Sequence, residues 1–381
     1  MSALRLRIFV PSAATLLTDH RGHGEGLIAW NLLSGLAARG HDLVVCARAA
    51  DLTVEPPFEL LVTGWASHRE SLEPLAYARA TTRRFEALGG AKRFDAVHWL
   101  FPDTREELVW SPPSSVPFVV GPIAPPQHEA RGQRRLRAGD ALRAVLQPAL
   151  RARSGRALAR ADAVLVCNDA ARDGLPRAVR ARARILPFGV DAVTFHDSPA
   201  PAGGPLVFVG KLQRTKGVRE LLEAFARARQ AFPDARLVLA GDGPDRPWLE
   251  RRAKELALNG SLRLLGPVTH ADVPELLRSA SLVCLPSRHE PYGMAVLEAM
   301  ASARAVLACD TAGPRELVRD GDGGRLVAPG DERALANALV ELLRDPARLA
   351  GMGAFNRKRV EESLSLDRVL DELERVYEEV A

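Results

Sequence analysis

Thirteen short, continuous apolar runs alternate with longer helical patterns along this chain, and that alternation most limits what it can fold into. In the first half the runs are Arg7–Val10, Asp42–Ala47, Glu59–Thr63, Ala96–Leu100, Phe118–Gly121, Ala163–Cys167 and Arg184–Pro187. In the second half they are Leu206–Val209, Arg236–Ala240, Arg263–Gly266, Leu282–Pro286, Ala305–Cys309 and Arg325–Val327. An alternating polar/apolar strand has one wet face, whereas an uninterrupted run is buried on both. Buried strands separated by helices predict parallel sheets with helices on each side, an α/β class of the doubly wound kind.

Length divides this pattern in two. The chain has 381 residues, comfortable for two domains. The segment Ser198-Pro-Ala-Pro-Ala-Gly-Gly-Pro205 has linker composition. The expected organisation is therefore an amino-terminal Rossmann-like unit over 1–197, a linker at 198–205, a carboxyl-terminal Rossmann-like unit over 206–365, and a last helix over 366–381. That helix carries an apolar stripe of Leu366, Val369, Leu370, Leu373 and Val376 that must dock somewhere. Ligands of such sheets bind at the carboxyl ends of the strands, and two facing units place one between domains.

Composition excludes several classes. A hydrophobic share of 47% with 26% charged residues is that of a packed globular chain, not a fibrous or disordered one. Cys46, Cys167, Cys284 and Cys309 are far apart and form no C-x-x-C pair, so neither a zinc site nor a disulfide framework is expected, and a reducing compartment fits. Met1 to Leu17 resembles a signal peptide, but its apolar core is short and interrupted by Pro11 with no clean A-x-A site after it, and a first buried strand over Leu6–Val10 explains the same residues better; no run has the ~18 to 20 apolar residues of a membrane helix. No nucleic-acid partner is expected. The formal net charge of +5 is uneven: residues 131–160 hold nine arginines against Asp140, a net +8. Leu136, Leu142, Val145, Leu146 and Leu150 recur there near helical spacing. A basic amphipathic helix of this kind suits an anionic lipid surface or draws in an acidic substrate; a solvated helix face is the alternative. A cytoplasmic protein at the inner face of a membrane follows from the first reading.

Three segments carry chemistry. Arg21-Gly-His-Gly-Glu-Gly26 follows the first strand and opens a helix running to about Arg39. Its glycines let backbone amides approach a phosphate or a sugar, although an ordinary tight turn would look the same. Val209-Gly-Lys-Leu-Gln-Arg-Thr-Lys216-Gly again joins a strand to a helix. Lys211 and Lys216, two of only five lysines, fall there with Arg214 between them, a cationic junction suited to a pyrophosphate. In Pro286-Ser-Arg-His-Glu290-Pro-Tyr-Gly-Met-Ala-Val-Leu-Glu298, a loop leads into a helix beginning near Gly293. Glu298 then sits among Val296, Leu297 and Met300, where a carboxylate needs a partner such as a hydroxyl. Amides at 293–295 would meet a diphosphate. His98 ends a strand and could face a cleft, although a satisfied core histidine is the commoner case; His128 follows a rigid Gly121-Pro-Ile-Ala-Pro-Pro loop, and Thr311-Ala-Gly-Pro314 follows another strand and could line a site. No metal-ligand cluster and no nucleophile motif appears.

Taken in order, VGKLQRTKGVRELLEAF, LVLAGDGP, LRLLGPVTHADVPELL, CLPSRHEPYGMAVLEAM and TAGPRELVRDGDGGRLVAPGD, spanning Val209 to Asp331, resemble the retaining GT-B glycosyltransferases of the glycosyltransferase group 1 (GT4-like) family. The amino half is similar more loosely, through the Gly24 loop, RGHDLVV and ILPFGVD. The resemblance implies two Rossmann-like domains facing across a cleft, with the last helix, 366–381, crossing back onto the amino-terminal domain, which would account for its apolar stripe. It implies transfer of a hexosyl-type sugar from a nucleotide diphosphate to an acceptor hydroxyl, with retention and without metal. No cofactor is expected, the nucleotide-sugar being a substrate.

By this resemblance Lys211, Lys216 and Glu290 are catalytic. The lysines hold the diphosphate and Glu290 contacts the donor sugar. Glu298 takes the ribose, while Tyr292, Gly293, Met294 and Ala295 line the phosphate and sugar. Gly24 approaches the β-phosphate, and the loop with Gly266 and Val268 flanks the base. On the acceptor side the candidates are His98 and His128. The chain departs from the family pattern in three places: the first lysine is more often arginine, Gly121-Pro122-Ile123 stands where many members carry a histidine, and Ala303 and Ala305 replace a usual Gly and Pro. The rival readings are a nucleotide-sugar epimerase of the same fold, a phosphorylase, and a non-catalytic lipid- or partner-binding protein.

Overall fold

The computed structural model describes residues 5–20, 24–64, 73–102, 108–125, 140–201 and 203–380, with only the backbone course at 140–144. The chain separates into two compact units: Met1–Phe188 together with Val369–Ala381, and Gly189–Arg368.

In the first unit the strands are β1 Arg7–Val10, β2 Leu16–Thr18, β3 Asp42–Ala47, β4 Ala49–Asp51, β5 Glu59–Val62, β6 Ala96–Trp99, β7 Phe118–Ile123, β8 Ala163–Val166 and β9 Ala183–Ile185. Seven of them form one parallel sheet in the order β5-β3-β1-β6-β7-β8-β9, and β2 pairs with β4 in a short parallel ribbon. Every residue of β6, β7 and β8 is buried. Neighbouring strand residues point to opposite faces, so both faces are covered, which is why these strands read as unbroken apolar runs. Phe9 of β1 anchors an aromatic cluster, its ring centroid 5.3 Å from those of both Phe85 and Phe94.

The helix Leu366–Val380 belongs to this unit from Val369 onward. Its stripe of Val369, Leu370, Leu373, Val376 and Tyr377 is buried. Gly35, on the helix Glu25–Ala38, lets it come close: a Cβ there would lie 2.5 Å from Leu370 Cδ1. The polar edge is tied as well, Arg39 Nη1 donating to Asp371 at 2.8 Å and to Glu374 at 2.7 Å.

The second unit contains β10 Leu206–Val209, β11 Leu237–Ala240, β12 Leu262–Gly266, β13 Leu282–Leu285, β14 Ala305–Cys309 and β15 Gly324–Val327. They form a six-stranded parallel sheet in the order β12-β11-β10-β13-β14-β15. Val207 in β10 pairs with Val238 on one side and Val283 on the other. The chain therefore winds outward from β10 to β12, returns to lay β13 beside β10, and winds outward again. The winding therefore reverses between β10 and β13, and the carboxyl ends of strands at such a switch point are the position where doubly wound sheets bind ligands. In the first unit β1 and β6 meet in the same way.

The linker-like composition at 198–205 does not mark the break between units. The break falls at Phe188/Gly189 because the following segment is bound to the second unit. Val190 bridges to Ser365, Arg357 Nη1 donates to the carbonyls of Ala192 and Phe195, and Arg304 donates to Ser198 O and Oγ. Arg304 is fully buried and spends its remaining donors on the carbonyls of Leu277, Ala303 and Arg278. All four cysteines are buried and free. Among the described residues no helix is long and apolar enough to cross a membrane.

Candidate active site

The residues singled out in the second half of the sequence lie on the loops that follow β10, β12 and β13. After β10 the chain turns through Arg214–Lys216 and Gly217 into the helix Val218–Ala228. Gly217 has φ +68, and a Cβ there would come within 1.9 Å of the Pro286 carbonyl. Only glycine satisfies both demands, and this lets the β10 loop lie directly on the β13 loop. Arg288 N donates to Thr215 O at 2.8 Å across the same contact.

That contact brings together two residues 74 positions apart. Lys216 Nζ donates to Glu290 Oε2 at 2.7 Å, and Ser287 Oγ donates to the same oxygen at 3.2 Å. The two side chains retain 30% and 18% exposure, so the pair is open enough to exchange partners with a ligand. Lys211 is exposed and forms no ion pair among the described residues. From the far side the loop after β14 supports Glu290: Gly313 N donates to its carbonyl at 3.0 Å, and a Cβ on Gly313 would sit 1.9 Å from Tyr292 O. Tyr292 itself is buried.

Gly293, at φ +95, caps the helix Met294–Ala301. Val296 N and Leu297 N both bond back to Gly293 O, so the amides of Met294 and Ala295 precede the first bonds of the helix. Such a terminus carries partial positive charge and donors directed outward. Glu298, one turn further, is 2% exposed, and its Oε1 accepts from His270 Nε2 at 3.2 Å. His270 opens a short turn after the β12 loop, past Gly266 and the half-buried Val268; Gly266 adopts φ +81 and its carbonyl accepts from Gly241 N. The crevice thus combines two lysines, a helix start, one half-open carboxylate and one buried carboxylate. Those are the groups a sugar diphosphate of a nucleoside requires: cations and amides for the phosphates, carboxylates for the hydroxyls.

Sequence reasoning did not single out Ser287 or His270. Ser287 lies within a quoted motif without distinctive spacing. His270 is 28 residues from the glutamate it touches, and no local pattern announces that contact.

Gly24 lies in the first unit, at the start of the helix Glu25–Ala38. Its φ is −168, ordinary extended backbone, and a Cβ there would meet nothing within 4 Å. The steric demand falls two residues later: a Cβ on Gly26 would come within 1.9 Å of Leu16 O. Arg21 to His23 lie outside the described residues, as does His128.

The expectation that His98 handles an acceptor is corrected. His98 is 1% exposed, and both ring nitrogens are engaged within the first unit. Nε2 lies 2.8 Å from Gly121 O and Nδ1 2.6 Å from the Tyr377 hydroxyl. A carbonyl only accepts, so Nε2 carries the proton and Nδ1 accepts from Tyr377. Burial pushes the imidazole down to about 4 against the opposing pull of Gly121 O. His98 is a neutral strut between the sheet and the last helix.

The basic window is visible only in part. Residues 131–139 lie outside the described set, and the helix Asp140–Arg160 follows. Leu146 and Leu150 pack with Ala78, Val109 and Trp110, whereas Val145, assigned above to the same apolar stripe, is 75% exposed. It shares the outer surface with Arg151, Arg153 and Arg156.

Residues 202–359 match the family description "Glycosyl transferases group 1". The chain is 30% identical over 353 residues to a phosphatidyl-myo-inositol mannosyltransferase of Mycolicibacterium smegmatis, covering 90% of this chain and 86% of that protein. Among solved structures it resembles sucrose-phosphate synthase from Thermosynechococcus elongatus, with TM-score 0.72 and 21% identity over 98% of each chain. It also resembles HepE of Anabaena in complex with UDP, with TM-score 0.71 and 19% identity over 98% of this chain and 100% of the other. These likenesses give the fold the two sheets describe, that of the GT-B glycosyltransferases, and with the full-length relative they establish that this chain belongs to the group 1 glycosyltransferase family.

Proposed function

We propose that this glycosyltransferase moves a hexosyl-type sugar from a nucleoside diphosphate to an acceptor hydroxyl, with retention at the anomeric carbon and no metal ion. The observation that carries the reading is the 2.7 Å contact of Lys216 with Glu290 at the switch point of the second sheet, with the exposed Lys211 on the same loop as Lys216 and the helix Met294–Ala301 starting after the loop of Glu290. Without ligand, each charge of the pair neutralises the other. A bound donor divides them: its diphosphate takes Lys216 and Lys211, and its sugar hydroxyls take Glu290. UDP bound to a protein of like fold agrees with a nucleoside diphosphate as the ligand.

The chemical demand is to carry the charge of a departing diphosphate while the anomeric carbon becomes oxocarbenium-like. Fixed cations and the amides of Met294 and Ala295 meet that demand without reorganising. The departing phosphate oxygen stands on the face where the acceptor arrives, so it takes the acceptor's proton as the new bond forms. No enzyme base is then required, which agrees with His98 being sealed in the core. The acceptor we infer is membrane-bound or anionic, on the basis of the arginine-rich window and of the lipid-type acceptor named in the relative from Mycolicibacterium smegmatis.

The test is Lys216→Ala in a transfer assay with a panel of nucleotide-sugars. Removing one preorganised charge from the leaving group lowers kcat ~10²-fold or more. An unchanged kcat in the folded variant removes Lys216 from the chemistry. Donor incubated without acceptor separates transfer from epimerisation, since only an epimerase then changes the sugar.

A further inference from the structure

Glu298 lies among the buried side chains Val296, Leu297, Ala299 and Met300. A carboxylate buried among apolar side chains needs a hydrogen-bond donor, and His270 supplies one. A carboxylate oxygen accepts only, so the imidazole carries a proton on Nε2 and donates it to Oε1 across 3.2 Å. That hydrogen bond holds the carboxylate in one orientation.

His270 is itself held in place. Its turn is closed by Asp272 N to Thr269 O at 3.0 Å and by Thr269 Oγ1 to Asp272 Oδ2 at 2.6 Å. Its ring stands edge-on to Phe195, with centroids 5.5 Å apart. Phe195 is buried, and its carbonyl accepts from Arg357 Nη1, which also reaches Ala301 O at the end of the helix that carries Glu298. The imidazole, its aromatic support and the glutamate's helix therefore form one braced assembly.

We propose that His270 is a positioning residue for the donor, presenting the Glu298 carboxylate in one orientation to the paired hydroxyls of the nucleotide ribose. The inference rests on the assignment of Glu298 to the ribose. It predicts that loss of His270 weakens the ribose contact and leaves the rest of the nucleotide's contacts unchanged.

The experiment is titration calorimetry of the full chain with UDP, GDP and ADP and with the 2′,3′-dideoxy form of each, on wild type, His270→Ala and His270→Gln. For whichever ribonucleotide wild type binds, His270→Ala weakens affinity about tenfold, the scale of a hydrogen bond to a charged group. The dideoxy form of that nucleotide binds wild type and His270→Ala alike. His270→Gln, whose amide can still donate to the carboxylate, recovers affinity to within about threefold of wild type. Equal losses on the two forms, or no loss on the ribonucleotide, overturn the proposal and leave the donor site intact. Failure of wild type to bind any of the three ribonucleotides instead overturns the donor-site reading, and the proposal with it.

Discussion

Replacing His98 by glutamine should flatten the acid limb of this protein's stability. Burial lowers the imidazole from 6.5 to about 4. Between those two values an unfolded chain binds a proton at this position and the native chain does not. Stability is therefore complete above pH 6.5 and falls as pH drops toward 4, because proton uptake favours the unfolded state. One proton's difference is worth about 1.4 kcal/mol per pH unit, and about 3 kcal/mol across the whole window. Both ring nitrogens are bonded in the native state, so protonating Nδ1 would also reverse the Tyr377 contact, the hydroxyl having to turn and accept from the ring. The assay is guanidinium unfolding followed by tryptophan fluorescence, with Trp99 and Trp110 packed 6.4 Å apart in this unit, at half-unit steps from pH 7 to pH 4. Glutamine lowers stability at pH 7, because it cannot keep both contacts. The slope is diagnostic: between pH 6.5 and 4 the variant's stability should fall by about 1.4 kcal/mol less per pH unit than wild type. Parallel profiles would show that His98 titrates normally in the folded state, and the neutral-strut description would then be wrong.

The two glycines at the first helix make an opposed pair. Gly24→Ala meets open space and should leave Tm unchanged, whereas Gly26→Ala drives a methyl to within 1.9 Å of Leu16 O and should cost about 2 kcal/mol or more; thermal melts that rank them the other way refute this steric reading. If the exposed arginines 151, 153 and 156 serve an anionic surface, the protein should co-sediment with vesicles containing phosphatidylglycerol at low salt and be released at high salt; absence of binding at every ionic strength would remove the membrane-bound acceptor.

Much of the fold was legible because its signals are local. Ala96–Leu100, Ala163–Cys167 and Leu282–Pro286 read as buried strands from four or five residues, and each is one. The last helix showed itself through a stripe with helical spacing, and Gly293 announced the helix start that follows it. The two three-residue strands Leu16–Thr18 and Ala49–Asp51 were missed. Two apolar residues each are too short a run to announce a strand, and the two pair only with each other. The unit boundary was misplaced for a related reason: Pro and Gly mark a segment that cannot be helix or strand, but say nothing about which body binds it. Arg304 and Arg357 decide that, by donating to its carbonyls.

The same division runs through the candidate site. The sequence alone determined which residue types stand at the strand ends: lysines after β10, an acid and a glycine-led helix after β13. Those are properties of contiguous segments and of the alternation that sets parallel strands. Only the tertiary structure decided partners. It set Lys216 on Glu290 across 74 residues, gave Glu298 to His270, and sealed His98 against the last helix. Contacts of that kind depend on where the sheet order places two loops and on how closely a backbone without Cβ atoms lets them approach, and neither is written in any one stretch of chain.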